Sequence, residues 1–266
     1  MHMLFAPLFS GSSGNSIYVG NEDGAVLVDA GMSATAIINE MLKNGLKPES
    51  VRALLITHEH TDHVQGAGVI ARKLNVPIYA TNGTWNGMRS RLGKLDPDKI
   101  RVLERGSDFY LDRLNVFAFE TPHDTPESCG YSFTMGRLKA TIATDVGCIK
   151  PEWLESAKGS DIVLLESNYD PGMLAAGPYP YELKVRIRGR RGHLSNDDAG
   201  KAACELVASG VKNVILGHLS KENNFPELAL ETCRGILYEN GINPDTDLKL
   251  SVSRRDGCCG VYIIED

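Results

Sequence analysis

The residues best suited to chemistry are concentrated in one stretch, Thr57-His58-Glu59-His60-Thr61-Asp62-His63. Neutral imidazole nitrogen and carboxylate oxygen are the ligands that borderline divalent metals prefer. The chain holds only seven histidines in 266 residues, so three in one short stretch argue against chance. The stretch follows the apolar run 51–56, which predicts a buried strand opening into a polar loop. Four other apolar runs behave alike: 116–119 leads to His123, 138–143 to Asp145, 161–165 to Glu166 and 211–216 to His218. Side chains delivered at strand ends are how a sheet assembles one site from distant sequence. Two metals a few ångströms apart need about seven ligands. His58, His60, Asp62, His63, His123, Asp145 and His218 supply that number.

Those ligands need a scaffold. Further strands are predicted at 4–9, 76–80, 248–252 and 260–264, and a hairpin at 16–19 and 25–28. Helical periodicity at 33–44, 64–74, 195–209 and 226–240 alternates with the strands, which makes the class α/β. Ser33 can cap the first helix, with Gly45 just past its end. Residues 81–98 have no clear period. The small residues of Gly11-Ser12-Ser13-Gly14-Asn15-Ser16 permit tight turns and close approach, as a hairpin loop or as a loop bordering an active site. No linker, repeat or low-complexity tract divides the chain, so a single domain over 1–266 is expected. Formal net charge is 28 − 34 = −6, so a polyanion site must be a local basic patch. Six scattered cysteines without a CxxC pair suit a reducing compartment. With no basic-then-apolar leader pattern and no apolar run near the roughly 18 residues of a span, a cytoplasmic protein without membrane contact is expected.

The order His58-x-His60-x-Asp62-His63, then His123, Asp145 and His218, resembles the metallo-β-lactamase superfamily of binuclear hydrolases, with motifs spanning 29–218. The resemblance implies an αββα sandwich, two packed mixed sheets flanked by helices. It also implies two divalent metal ions per chain. His58, His60 and His123 would form the first site, Asp62, His63 and His218 the second, and Asp145 would bridge them. Asp29 would support a ligand histidine from behind. Zn²⁺ suits this set, with Mn²⁺ or Fe as alternatives. Such ions acidify water and polarise a carbonyl or phosphoryl oxygen, which means hydrolysis.

Other residues bear on the substrate. A bridging carboxylate and the lack of a secretion pattern lean away from a true β-lactamase. Residues 161–168 (DIVLLESN) resemble the strand of tRNase Z-type nucleases that ends in His-Glu-Ala-Thr, with Glu166 at the Glu position and Leu165, Ser167 and Asn168 departing from it. Gly192-His193-Leu194-Ser195 resembles the Gly-His-Ser-Thr motif that opens the next helix there. By that resemblance Asp62, His193 and Glu166 are catalytic. His193 would contact the scissile phosphate and protonate the leaving oxygen, and Glu166 would orient it. The plain alternative for His193 is a helix-start position beside a Ser195 cap. Lys184, Arg186, Arg188, Arg190 and Arg191 form a run of five cations with no acid, either a solvated strand edge or loop or a clamp for backbone phosphates. Ser12, Ser13 and Asn15 join them as candidate phosphate contacts.

The glycine-serine opening and the length look most like the YycJ/WalJ branch, compact bacterial proteins linked to exonuclease activity on DNA. The chain is too short for the inserted domain of RNase J and related β-CASP nucleases. The implied activity is 5′-to-3′ exonuclease action on double-stranded DNA, with RNA open. A homo-oligomer and a DNA-repair protein are further partners to test. A thioester or lactone hydrolase of the glyoxalase II or lactonase type would use the same seven ligands, with β-lactamase activity at most a side reaction. A non-catalytic module would have no reason to keep every ligand.

Overall fold

Runs of Val, Ile, Leu and Ala form the strands, and Gly, Pro, Asn and Asp punctuate them. The computed structural model describes all residues, 1–266. The strands are β1 (His2–Phe9), β2 (Ser16–Gly20), β3 (Ala25–Val28), β4 (Val51–Leu55), β5 (Ile78–Ala80), β6 (Ile100–Val102) and β7 (Asp108–Leu111). They continue with β8 (Leu114–Glu120), β9 (Cys129–Met135), β10 (Leu138–Ala143), β11 (Ile162–Glu166), β12 (Asn213–Gly217), β13 (Lys249–Val252) and β14 (Tyr262–Glu265). The helices are α1 (Ala34–Lys43), α2 (Thr61–Val64), α3 (Ala67–Leu74), α4 (Asn82–Met88), α5 (Pro151–Ala157), α6 (Pro171–Ala176), α7 (Tyr181–Ile187), α8 (Asn196–Ala208) and α9 (Pro226–Glu239). The chain, expected as one domain over 1–266, contains two compact units.

The first unit comprises residues 1–120, 125–138 and 254–266. Its sheet runs β14-β1-β2-β3-β4-β5-β6. β14, β1, β2 and β3 pair antiparallel, and β3 to β6 pair parallel. Parallel strands are covered on both faces, and β4 accordingly reads as a nearly unbroken apolar run with only Arg52 exposed. Ile37 and Met41 of α1 and Ile70 and Ala71 of α3 join Leu54, Ile56 and Ile78 in one core. Each Ile, Leu or Met among them contributes roughly 1.5–3 kcal/mol by leaving water. Ser33 caps α1 as expected, accepting from the Ala36 N–H. A separate antiparallel run β7-β8-β9 completes the unit.

The expected helix over 64–74 is instead two pieces, α2 and α3. The break falls at Gly66, whose N–H donates to the Ala30 carbonyl at 2.7 Å. A Cβ at Gly66 would lie 2.1 Å from the Met32 carbonyl oxygen, so the chain passes too closely for any side chain.

The second unit comprises residues 121–124 and 139–253. Its strands β10, β11, β12 and β13 pair in that order, all parallel, so their C-terminal ends share one edge. α8 and α9 lie against each other at Gly200, where an added Cβ would stand 2.7 Å from the Ile236 side chain. Neither α7 nor β9 follows from the sequence pattern. The basic run, expected as a strand edge or loop, begins in α7 and leaves it at Arg188.

Parallel pairing positions the chemistry. Asp29 and Thr57 follow β3 and β4 in the first unit. Asp145, Glu166 and His218 stand at or just beyond the ends of β10, β11 and β12 in the second. Open parallel sheets bind ligands at this carboxyl edge. Asp29, Asp145 and His218 each adopt a left-handed backbone, with φ of 62°, 57° and 56°.

Candidate metal centre

In the first unit, Thr57 organises the ligand loop. Its N–H donates to Asp29 Oδ1 at 2.9 Å and its hydroxyl to Asp29 Oδ2 at 2.8 Å. With that proton committed, the Thr57 oxygen can only accept from His58 Nδ1, at 3.0 Å. His63 Nδ1 lies 2.7 Å from Asp29 Oδ2, which also can only accept. Both rings therefore carry their proton on Nδ1, leaving Nε2 as a lone pair. His58 Nε2 faces His60 Nδ1 at 3.1 Å, and His63 Nε2 lies 3.5 Å from Asp62 Oδ2. Two nitrogens bound to one tetrahedral zinc, each about 2.0–2.1 Å from it, stand roughly 3.3 Å apart. The donor set and spacing of this loop fit a divalent ion.

The glycine-serine loop lies against the ligand loop. The Asn15 N–H donates to the Asp62 carbonyl at 2.8 Å, and Asn15 Nδ2 lies 3.1 Å from His63 Nε2. A Cβ on Gly31 would meet the Asp62 carbonyl oxygen at 1.7 Å, so that contact requires glycine. Asn15 is buried while Ser12 and Ser13 are exposed at the loop tip. Glu59 and Thr61 act as spacers: Arg91 Nη1 approaches the Glu59 carbonyl at 3.3 Å and Thr61 Oγ1 at 3.1 Å.

In the second unit, Glu166 is the hub. Its Oε2 accepts the N–H groups of Val146 at 2.8 Å and Leu194 at 3.1 Å. Its Oε1 meets His193 Nδ1 and His218 Nδ1, both at 2.8 Å. Four donors occupy this carboxylate, so Glu166 orients imidazoles rather than binding an ion, although it clusters with Asp145, His193 and His218. Burial alone would raise its carboxyl, but His193 and His218 outweigh that and hold it well below the usual range. With Nδ1 of His218 committed to Glu166, its Nε2 is the lone pair. His123 Nδ1 donates to the Gly192 carbonyl at 3.0 Å, and its Nε2 lies 3.5 Å from Asp145 Oδ1. Burial pushes the His123 imidazole down to about 4, so it stays neutral and able to ligate at neutral pH.

The basic run is partly committed within the unit. Arg186 pairs with Asp124, and Arg191 Nε donates to the His123 carbonyl at 2.8 Å. Lys184 Nζ donates to the Ala175 carbonyl at 2.7 Å. Arg188 and Arg190 are exposed. Sequence reasoning gave no role to Thr57, Asn168 or Arg91. Asn168 Nδ2 holds the His218 carbonyl at 2.7 Å. The available signal was position: Thr57 and Asn168 both carry hydrogen-bonding side chains two residues past the end of a strand that leads to the site.

The Beta-lactamase superfamily domain matches residues 25–219. The chain is similar to exodeoxyribonuclease YycJ of Bacillus anthracis, 35% identical over 257 residues that cover 94% of this chain and 97% of that protein. It is also similar to exodeoxyribonuclease WalJ of Streptococcus pneumoniae, 36% identical over 248 residues that cover 92% of each. Among solved structures, the metallo-β-lactamase fold protein YhfI from Bacillus subtilis aligns with a TM-score of 0.72 at 14% identity over 100% of both chains. Human tRNase Z, short form, aligns with a TM-score of 0.63 at 16% identity, over 100% of this chain and 99% of that one. These structural likenesses show the fold, which is the αββα type the motifs led us to expect. With the family domain spanning 25–219 and relatives matched along nearly their whole length, the chain belongs to the β-lactamase superfamily, in the branch of YycJ and WalJ.

Proposed function

We propose that the chain is a divalent-metal-dependent exodeoxyribonuclease, in its most specific form a 5′-to-3′ exonuclease on double-stranded DNA. RNA is the alternative nucleic acid. His58, His60 and His123 would hold one ion, and Asp62, His63 and His218 the other, with Asp145 shared. Ions held there supply Lewis acidity, which polarises a phosphoryl oxygen and acidifies water. Zn²⁺ suits the imidazoles, and Mn²⁺ or Fe the carboxylates.

The observation that carries the reading is the Glu166–His193 pair. His193 keeps 19% of its side chain exposed, against 1% for His123 and 2% for His218. It is therefore the imidazole of the unit that can meet a substrate. Glu166 holds its Nδ1, so Nε2 is the nitrogen offered outward. A sugar alkoxide leaves poorly without a proton, and an imidazolium paired with a carboxylate can supply one. The thiolate released from a thioester needs no such donor. Arg188 and Arg190 add exposed cations, in a chain of net charge −6, for the flanking phosphates.

The test is a substrate panel with Zn²⁺ and Mn²⁺: bis-p-nitrophenyl phosphate, end-labelled DNA, labelled RNA, a thioester, a lactone and a β-lactam. Phosphodiester hydrolysis and loss of DNA from one end are expected, falling about 10²- to 10⁴-fold in His193→Ala with metal content retained. Hydrolysis of the thioester or lactone with DNA untouched would overturn the reading.

A further inference from the structure

One face of α7 has no part in the metal centre. Leu183 and Ile187 turn inward, where Tyr169, Leu174 and Tyr179 cover them. The other face leaves Tyr181 69% and Val185 41% exposed. Positions 181, 185 and 188 follow the i, i+4, i+7 spacing of one helical stripe. Arg188 reaches back along it and sets its guanidinium 5.9 Å from the centroid of the Tyr181 ring, within cation–π range. Glu182 is the only acid between residues 181 and 191, against five cations.

The stripe is tied to the proposed proton donor. The His193 N–H donates to the Ile187 carbonyl at 2.9 Å. Gly192 makes the close approach, since a Cβ there would lie 2.1 Å from the Ile187 oxygen. From Ile187 back to Tyr181 the helix rises about 9 Å, at roughly 1.5 Å per residue. Stacked nucleotides advance roughly 3.4 Å each along a strand. The Tyr181 ring thus stands about two to three nucleotide steps from the point that anchors His193.

We propose that Tyr181 and Arg188 form a stacking platform for an unpaired base of the DNA strand being degraded. The proposal rests on the nuclease reading. Bases inside an intact duplex meet their partners by their edges and have both faces covered by stacked neighbours, so a ring on an open helix face serves a base freed at a frayed or single-stranded end. The cations around it match the phosphates of such a strand, and stacking on an aromatic ring accepts any base. Recognition is therefore of strand state rather than of sequence.

The test uses the full chain and a duplex with a single-stranded 5′ end, blocked by phosphorothioates, with 2-aminopurine as the third unpaired base. Binding should quench the 2-aminopurine fluorescence. Tyr181→Ala should remove the quench and weaken binding about tenfold, and Tyr181→Phe should restore both. If wild-type protein degrades DNA, but Tyr181→Ala binds within twofold of it or keeps the quench, the platform is refuted and the nuclease reading stands. If wild-type protein neither binds nor degrades any DNA end, both fall.

Discussion

Replacing Glu166 with glutamine keeps the volume and shape of a fully buried side chain and removes its charge. The carboxylate receives four N–H donors, from Val146, Leu194, His193 and His218. A glutamine amide offers one oxygen and an NH₂ group that can only donate. If the NH₂ faces the two backbone donors, they lose their partner at about 1–3 kcal/mol each. If it faces the imidazoles, His193 and His218 must shift their proton to Nε2, so that Nδ1 can accept. His218 then loses the lone pair expected to bind metal, and His193 loses the carboxylate that stabilises its charged form. Either arrangement lowers activity, and the two are separable. The first lowers the melting temperature with metal retained, and the second lowers metal content with a smaller loss of stability. We expect Glu166→Gln to reduce DNA hydrolysis about 10²- to 10⁴-fold. Turnover by end-labelled assay, elemental analysis and thermal unfolding on the same preparation would check this. A Glu166→Gln protein with wild-type turnover and stability would refute the role of Glu166 as the orienting hub.

Thr57→Val removes the hydroxyl that links Asp29 to His58 and His63 while keeping a branched side chain. Metal affinity by competition with a chelating dye should fall about 10- to 100-fold. Gly31→Ala places a methyl 1.7 Å from the Asp62 oxygen and should cost about 3 kcal/mol or more. Gly235→Ala, inside α9 with nothing near its added Cβ, should gain roughly 0.5–1 kcal/mol; urea unfolding compares the pair. Burial would raise the Glu40 carboxyl, but the Cys258 N–H, the Asn44 amide and Lys43 hold it below its ordinary value. A carboxyl lowered on folding adds stability above its unfolded pKa, and that stability is lost as pH falls through the folded value. The melting-temperature deficit of Glu40→Gln should therefore be full at neutral pH and shrink below about pH 4.

Much of the centre was legible because parallel strands are apolar throughout, so a polar residue at their end stands out. His58, Asp145, Glu166 and His218 were found this way, and His123 by a similar step from apolar to polar residues after the antiparallel strand β8. β9 was not, because its sequence CGYSFTM is almost wholly buried yet contains Gly, Ser, Cys and Thr, which blur both periods. α7 misled in the opposite direction. Lys184-Val185-Arg186-Ile187-Arg188 alternates with period two, the pattern of a strand. The helix prevails because Leu183 and Ile187, four apart, find an apolar surface built from Tyr169, Leu174 and Tyr179. That surface comes from residues before the run and could not be read from the run itself. The break at Gly66 depends on the Met32 carbonyl in the same way, a neighbour more than thirty residues distant.

The left-handed backbone at Asp29, Asp145 and His218 has a consequence for how this protein can change over generations. Side chains other than Gly, Asn and Asp resist that conformation, at about 1–2 kcal/mol for most residues. A substitution such as His218→Gly would relieve the backbone, but it would empty a buried site and take the imidazole from the Glu166 carboxylate, so even the metal-free chain would lose stability. Drift at these positions is thus restricted twice, by a backbone that few residues tolerate and by buried hydrogen bonds that fewer still can replace. An engineer seeking a new ligand set meets the same restriction from the other side. At Asp29 and Asp145 the choice is close to Asp, Asn or Gly, and β-branched or bulky residues are excluded before any question of chemistry arises.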